Sequence, residues 1–371
     1  MSTKLKIDSL SEELQSRIHF GDPEITSDMG PVTSFLVGHK IHCNGGATVR
    51  SGLYLKQHLE KGGKMFLTMS GAGSSFQMGK LISRLIIEGK VHAISVTGAN
   101  MEESLYRYVA HSQYAYIPKY SKLTPYQEEE LRGVGLRRIT DTFLPEEESV
   151  RVVLEPLMKL WRKAELEKET YHWHEFFFQL FSEGLIQKDP QAKEEDCWLY
   201  QAWLNKIPVY VPGWEDSTMG NIFTQACYKG HHPFLGQYQL EHPISKDVVK
   251  HNFEYMHHLA AWYMDSASSS SRIAFLQLGG GIAADFPICA VPHLKHDYLG
   301  DESDEKKDLL VQPWDSFVEI NSGDMSYGSY TSAGFDEKIT WDKFVPGSFG
   351  QQIHGDYTVV FPDIAAIILN L

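Results

Sequence analysis

The chain has 371 residues, 42% of them hydrophobic, and a formal net charge of −14 at pH 7. This composition is ordinary for a globular protein, and the acidic balance argues against a nucleic-acid partner. A polar start and the absence of a long apolar run predict a cytoplasmic protein with no membrane partner. The four cysteines form no CxxC pair, so we expect neither a disulfide framework nor a zinc site.

The clearest structural unit begins at Lys64. Residues 65–69 predict a buried strand, and the small residues 70–75 predict a loop. Apolar residues at helical spacing from Met78 to Ile86 predict a helix, and residues 91–96 predict the next strand. This βαβ unit should contain two parallel strands joined by a right-handed crossover.

The remaining pattern predicts an α/β fold. Charges and aromatic residues at helical spacing indicate a mostly helical insertion over residues 120–205. We expect residues 1–60 to form an N-terminal helical or loop extension and residues 61–371 to form a single domain. Short apolar runs predict further strands at 207–211, 273–278, 317–320 and 357–361. Together they indicate a doubly wound, mostly parallel sheet of the Rossmann type, with its functional loops at the carboxyl ends of the strands.

Three of the predicted strand ends have features that favour a bound nucleotide. Gly71-Ala72-Gly73 and Gly279-Gly280-Gly281 each follow a strand, and Thr97-Gly98 follows a third. Glycines allow a ligand to approach the backbone closely, and a helix N-terminus attracts an anion. A tight strand-to-helix turn explains the first of these loops about as well as a phosphate site does.

Carboxylates lie near the same strand ends. Glu102 and Glu103 follow Thr97-Gly98, and Asp216 follows the strand at 207–211. Such carboxylates can accept hydrogen bonds from ribose hydroxyls, although Glu102 and Glu103 are equally suited to helix capping. Histidines also cluster, as in His172-Trp173-His174, but residues two apart do not share a helix face. We therefore expect no metal site.

Lys343 is the strongest candidate nucleophile. It lies beside Trp341 and is followed by Phe344 and Val345. An apolar environment disfavours the charged form of an amine, and a neutral amine attacks carbonyls and imines. A solvated structural lysine is the alternative that the residues alone leave open.

The run at residues 331–343 resembles deoxyhypusine synthase, whose members carry a Ser-Gly-Ala stretch, an acidic pair ending in Glu, and Ser-Trp-Gly-Lys. The resemblance covers most of residues 60–371. Further similar segments follow in the same order as in the family, at residues 66–75, 97–103, 207–216, 278–281 and 355–362.

This resemblance implies an NAD-binding α/β domain that assembles as a homotetramer with active sites between paired subunits. It implies a transferase that uses NAD to oxidise spermidine, a polyamine, and that holds an aminobutyl group as an imine on a lysine. The group then passes to an acceptor amine, which is a protein lysine in hypusine formation.

The resemblance also assigns roles by position. Lys343 matches the imine-forming lysine, and Glu337 and Trp341 match residues that hold the substrate. The positions that match NAD contacts are Ser75, Thr97, Gly98, Glu102, Glu103, Asp216, Gly279, Gly280, Ser322, Gly323 and Asp356.

Several positions depart from the family pattern. Asp285 stands where eukaryotic members have a histidine near the reacting amine, and Asn221 replaces an aspartate. Residues 327–330 read Tyr-Gly-Ser-Tyr instead of Asp-Gly-Ser-Asp, and Asp342 replaces a glycine. These changes predict that the preferred amine differs from spermidine.

We expect Asp285 to take part in catalysis, and Asn221, Ser329 and Tyr330 to contact the substrate. Three functions remain open at this point. The chain is an enzyme that modifies a protein lysine, a homospermidine synthase-type enzyme with a small diamine as acceptor, or a non-catalytic NAD-binding paralogue.

Overall fold

The computed structural model of the chain describes residues 24–229, 243–268, 271–324 and 326–371, together with residues 11, 12 and 15. The strands are β1 (Lys64–Met69), β2 (Ala93–Val96), β3 (Ala115–Tyr116), β4 (Leu136–Ile139), β5 (Thr142–Pro145), β6 (Val209–Tyr210), β7 (Ile273–Leu278), β8 (Ser316–Asn321) and β9 (Phe349–His354).

The α-helices of the described residues are α1 (Pro31–His39), α2 (Cys43–Glu60), α3 (Gly79–Ile87), α4 (Gly98–Ala110), α5 (Pro125–Gly133), α6 (Val152–Glu167), α7 (Trp173–Ser182), α8 (Trp198–Leu204), α9 (Thr218–Lys229), α10 (Asn252–Ser266), α11 (Ile282–Ile288), α12 (Ala290–Pro292), α13 (Asp304–Leu310), α14 (Phe335–Ile339) and α15 (Tyr357–Ile368). Short 3-10 and π-helical segments lie at His111–Gln113, Tyr120–Lys122, Glu146–Arg151, Glu194–Asp196, Lys246–Val248, His293–Tyr298 and Tyr330–Ser332.

The central sheet has six parallel strands in the order β6-β2-β1-β7-β8-β9. Counted by their appearance along the chain, these strands follow the order 3-2-1-4-5-6, the doubly wound arrangement. The predicted fold class is therefore confirmed. The strand order reverses between β1 and β7, and in such sheets ligands bind in the crevice outside the carboxyl ends at this point.

Buried aromatic residues hold the centre of the sheet together. Phe66, Phe275 and Phe317 lie side by side on β1, β7 and β8, with ring centroids 5.7 and 6.0 Å apart. The Trp314 ring packs edge-on against Phe66 and Phe275, at 5.7 and 5.0 Å. Both faces of a parallel sheet are covered by helices, which explains why its strands are apolar runs without alternation.

The last strand differs from the prediction. Residues 357–361, predicted as a strand, form the first turn of α15, and the edge strand is β9, eight residues earlier in the chain. Asp356 caps the helix, since its Oδ1 accepts a hydrogen bond from the Thr358 N–H at 2.8 Å. The prediction was wrong because a short apolar run is the same in a buried helix and in a buried strand.

The chain between α4 and β6 combines helices with a second, antiparallel sheet of order β3-β5-β4. The sequence pattern did not predict this sheet, because the middle residues of β4 are the exposed Arg137 and Arg138. At the other end of the domain, α2 packs against α15, where the Cα of Gly52 faces the side chain of Ile367. Among the described residues, no helix is long and apolar enough to cross a bilayer.

Candidate active site

The carboxyl ends of β7, β8 and β9 surround a crevice. Its walls include Gly279, Gly280 and Asp356, and it is also lined by Ser322 and Gly323. Five predicted cofactor residues therefore lie in one place. A neighbouring cleft at the end of β1 shares Asp356 and extends past Ser75 towards the small antiparallel sheet.

The glycines of this crevice are required by its geometry. Gly71, Gly279 and Gly281 have φ values of +69°, +78° and +63°, a region that favours glycine. A Cβ atom on Gly280 would lie 1.7 Å from the Thr331 Cγ2 atom. The Ser70 hydroxyl donates to the Gly280 carbonyl, which ties the β1 and β7 loops together.

These features fit a dinucleotide. Backbone without side chains lies at the switch point of a doubly wound sheet, and the carboxylate of Asp356 stands at its rim. The Ser75 hydroxyl and one oxygen of Glu103 are buried and have no hydrogen-bond partner among the described residues. Burial raises the pKa of Glu103 to about 7.

Lys343 lies beside Tyr330, and the next residue, Thr331, packs against Gly280 of the crevice. Only 8% of the residue is exposed, and its Nζ is 5.7 Å from the centroid of the Tyr330 ring. Tyr330 precedes Thr331, the residue that contacts Gly280, so the amine lies close to the wall of the crevice. Burial raises the pKa of the adjacent Cys289 thiol, and the Lys343 ammonium partly opposes this shift.

The acidic and aromatic residues predicted around Lys343 are more exposed to solvent than the lysine itself. Glu337, Trp341 and Asp285 are exposed, and Trp341 leaves 64% of its surface accessible. The Asp285 carboxylate acts electrostatically on Cys289 and Tyr330, so it belongs to the same neighbourhood.

Tyr330 is the best enclosed of the predicted substrate contacts. Burial raises the pKa of its phenol, and its hydroxyl donates to the Gln277 Oε1 atom at 2.9 Å. Ser329 is exposed, and its hydroxyl lies 3.2 Å from that of Thr331.

Other predicted residues lie at the β2 and β6 end of the sheet. Thr97 caps α4, and Gly98 packs against Ser217. Glu102 is buried, and its two carboxylate oxygens accept hydrogen bonds from the Thr218 and Met219 N–H groups, each at 2.9 Å. Both oxygens therefore bind the N-terminus of α9, the structural role that the sequence left open.

Asp216 and Asn221 flank the same helix start. Both are exposed, and the Asn221 amide donates to the Ser217 carbonyl at 2.7 Å. Neither lines the glycine crevice, so for this chain their roles in binding remain predictions.

A buried polar group that the sequence pattern did not reveal lies beneath the Tyr330 ring. Gln277 and Glu319 lie in register on β7 and β8, and Lys338 in α14 lies over the ring of Phe317, two residues before Glu319. All three are at most 2% exposed. The signal was present, since a glutamine and a glutamate interrupt strands that are otherwise apolar.

The best enclosed histidines of the described residues make ring contacts. The His172 ring stacks on Tyr255 at 4.4 Å, and His174 Nδ1 lies 2.9 Å from the Tyr255 hydroxyl. Burial lowers the pKa of His172 to about 4. Among the described residues, no group of His, Cys, Asp or Glu side chains is arranged to hold a metal ion.

A six-stranded doubly wound sheet with a glycine-lined crevice and a buried lysine beside it defines an α/β protein of the doubly wound class, whose ligand site is expected at the switch point of the sheet. The family model of deoxyhypusine synthase matches residues 39–368. The chain belongs to the deoxyhypusine synthase family, as its sequence motifs predicted.

Relatives of this family are distant from the chain in sequence. The deoxyhypusine synthase of Encephalitozoon cuniculi is 25% identical over 305 residues, which cover 81% of this chain and 76% of that protein. The deoxyhypusine synthase of Nicotiana tabacum is 23% identical over 307 residues, which cover 82% and 70%. A solved structure of a candidate deoxyhypusine synthase from Entamoeba histolytica superimposes with a TM-score of 0.50 at 12% identity over 91% of both chains, which supports the fold alone.

Proposed function

We propose that the protein is an NAD-dependent transferase that moves an aminoalkyl group from an amine donor to an acceptor amine through an imine on Lys343. The observation that carries this proposal is the position of Lys343. Its amine is buried beside Tyr330, near the wall of a glycine-lined crevice at the place in the sheet that suits a dinucleotide.

The residues that would hold NAD are those of the crevice. Gly279 and Gly280 would allow close approach of the pyrophosphate, and Asp356 would accept from a ribose hydroxyl. NAD, when bound, supplies an acceptor for the hydride removed from the donor amine.

The chain's own groups would carry the transfer. The neutral Lys343 amine attacks the carbon of the donor's imine, a new C–N bond forms, and the leaving amine departs with the proton that Lys343 gives up. The Tyr330 ring lies beside the Lys343 amine, and the burial of the lysine would limit the access of water to it. The exposed carboxylates of Asp285 and Glu337 would attract the ammonium end of the donor.

Covalent trapping tests this function. The purified protein is incubated with NAD and a panel of polyamines and diamines, reduced with borohydride, and weighed as an intact chain. We expect a mass gain equal to the transferred group, and peptide mapping should place it on Lys343. Lys343→Arg keeps the positive charge, removes the nucleophile and should abolish the gain.

A second buried lysine provides the matched control. Lys295 is 7% exposed and forms an ion pair with Asp308 at 2.5 Å. Lys295→Arg should trap the group as the wild type does. The proposal is wrong if the wild type gains no mass with any amine, or if Lys343→Arg gains as much as the wild type.

The acceptor and the assembly belong to the same proposal. A protein lysine and a free diamine are both amines, and adding each to the trapped enzyme shows which one removes the group. By analogy with its family we propose a cytoplasmic homotetramer, and the exposed Trp341 beside Lys343 is a surface that a second copy would cover. Sedimentation equilibrium tests this, and a monomer at micromolar concentration would contradict it.

A further inference from the structure

A second buried lysine, Lys338, lies beneath the Tyr330 ring, among groups of the kind that bind an ammonium ion. Lys338 is 2% exposed, and its Nζ donates to the Ala333 carbonyl at 2.9 Å. The same Nζ lies 4.7 Å from the centroid of the Phe317 ring and 5.1 Å from that of Tyr330. Aromatic faces and a carbonyl are the groups that bind desolvated alkylammonium ions in proteins.

A buried carboxylate supplies the negative charge. Glu319 is fully buried, and its Oε1 accepts hydrogen bonds from the Gln277 and Asn321 amides, both at 2.8 Å. Its Oε2 accepts from the Gln352 amide at 2.8 Å, and this amide also donates to Ala333 at 3.0 Å. Gln352 therefore links Glu319 to the carbonyl that Lys338 contacts.

The two buried charges depend on one another. Burial raises the pKa of Glu319 to about 7, and the amide donors and the Lys338 charge oppose this rise. Burial lowers the pKa of Lys338, and Glu319 opposes that shift. A buried charge that loses its partner is strongly destabilising, so each group accounts for the presence of the other.

This cluster adjoins the proposed reaction site. Lys343 Nζ lies 5.7 Å from the Tyr330 ring that Lys338 also contacts. The Tyr330 hydroxyl is held by Gln277, whose amide also donates to the Gly279 carbonyl at 2.9 Å. One phenol ring therefore faces both lysines and is anchored to the crevice wall.

We infer that Phe317, Tyr330 and the Ala333 carbonyl form an ammonium cage that Lys338 fills from within the chain, with Glu319 as a nearby counter-charge linked to Ala333 through Gln352, so that the enzyme selects short diamines over longer triamines. A second substrate ammonium cannot enter a filled cage, and the Lys338 charge repels one that approaches it. The cage is inferred from the contacts of Lys338 with Ala333, Phe317 and Tyr330. The choice of substrate rests on the proposed function.

The cage is tested without any enzymatic reaction. Lys338→Ala empties it, and ethylammonium chloride is then compared with sodium chloride at equal ionic strength by thermal unfolding. Ethylammonium at ten times its Kd should raise the Tm of the variant by about 2 °C. The wild type, whose cage is filled, and Lys295→Ala, which removes a buried lysine elsewhere, should show no difference between the two salts.

Selectivity is tested by NADH formation with 1,4-diaminobutane and with spermidine. The wild type should have the higher kcat/KM for the diamine. Lys338→Ala should shift the ratio of the two kcat/KM values towards the triamine by about tenfold. Lys338→Met, which keeps most of the side-chain volume without the charge, replaces the alanine variant in this assay if the latter does not fold.

The two proposals fail separately. A wild type that is inactive with every amine refutes the proposed function, and the ethylammonium comparison still decides whether the cage exists. An active wild type with an unchanged ratio in the variant, or with no stabilisation of Lys338→Ala by ethylammonium, overturns the inference and leaves the proposed function standing.

Discussion

Gly280→Ala is expected to destabilise the protein through a single contact. The new Cβ atom would lie 1.7 Å from Thr331 Cγ2, whereas carbon atoms in contact are about 3.5–4.0 Å apart. Rotating the Thr331 side chain away would give up the 3.2 Å contact between its hydroxyl and that of Ser329. Overpacking of this kind costs about 1–3 kcal/mol.

Thr331→Ser should remove most of this cost, because it deletes Cγ2 and leaves the Thr331 Cβ, 3.2 Å from the new atom, as the nearest neighbour. Urea unfolding of the two single variants and the double variant would give the coupling energy, which we expect to be about 1–2 kcal/mol. Gly133→Ala, where an added Cβ meets no atom within 4 Å, is the matched control and should be neutral or slightly stabilising. Additive effects in the double variant would refute the contact between Gly280 and Thr331.

Three further predictions concern buried groups. Burial raises the pKa of Glu319 from 4.5 to about 7, so the folded protein holds an extra proton between these values and loses stability as the pH rises through them. Glu319→Gln should remove about 3 kcal/mol of that pH dependence in urea unfolding between about pH 5 and about pH 8, and parallel curves would contradict this. Glu102→Gln replaces one acceptor of the α9 N-terminus with a donor and should lower the free energy of unfolding in urea by about 1–3 kcal/mol, whereas an unchanged value would show that the two amides do not depend on the carboxylate. Lys343→Arg should leave NAD binding and the Tm unchanged while transfer is lost, and calorimetry that shows weaker NAD binding would place the lysine in the cofactor site instead.

The secondary-structure elements that were predicted correctly have a distinct local sequence pattern, and those that were missed do not. The βαβ unit from β1 to β2 was predicted correctly, because a strand, a glycine loop and an amphipathic helix each have a distinct local pattern. Strand β9 was missed because an edge strand that is half exposed need not be apolar. The small antiparallel sheet was missed for a similar reason, since β4 exposes two arginines.

Among the site residues, local motifs could also be recognised from the sequence, whereas contacts between distant residues could not. Six short segments in the same order as in the family, among them residues 278–281 and 331–343, predicted the family, because each segment can be recognised from neighbours along the chain. They did not indicate that Glu102 binds the start of α9, which lies more than a hundred residues away along the chain.

The sequence by itself therefore determined five of the six strands of the central sheet, the glycine loops and the candidate nucleophile, since each depends on neighbours along the chain. Only the tertiary structure brought Gln277, Glu319 and Lys338 together beneath the Tyr330 ring. The physical reason is that the cost of burying a charge depends on partners from distant strands, whose register is decided by the packing of the whole sheet.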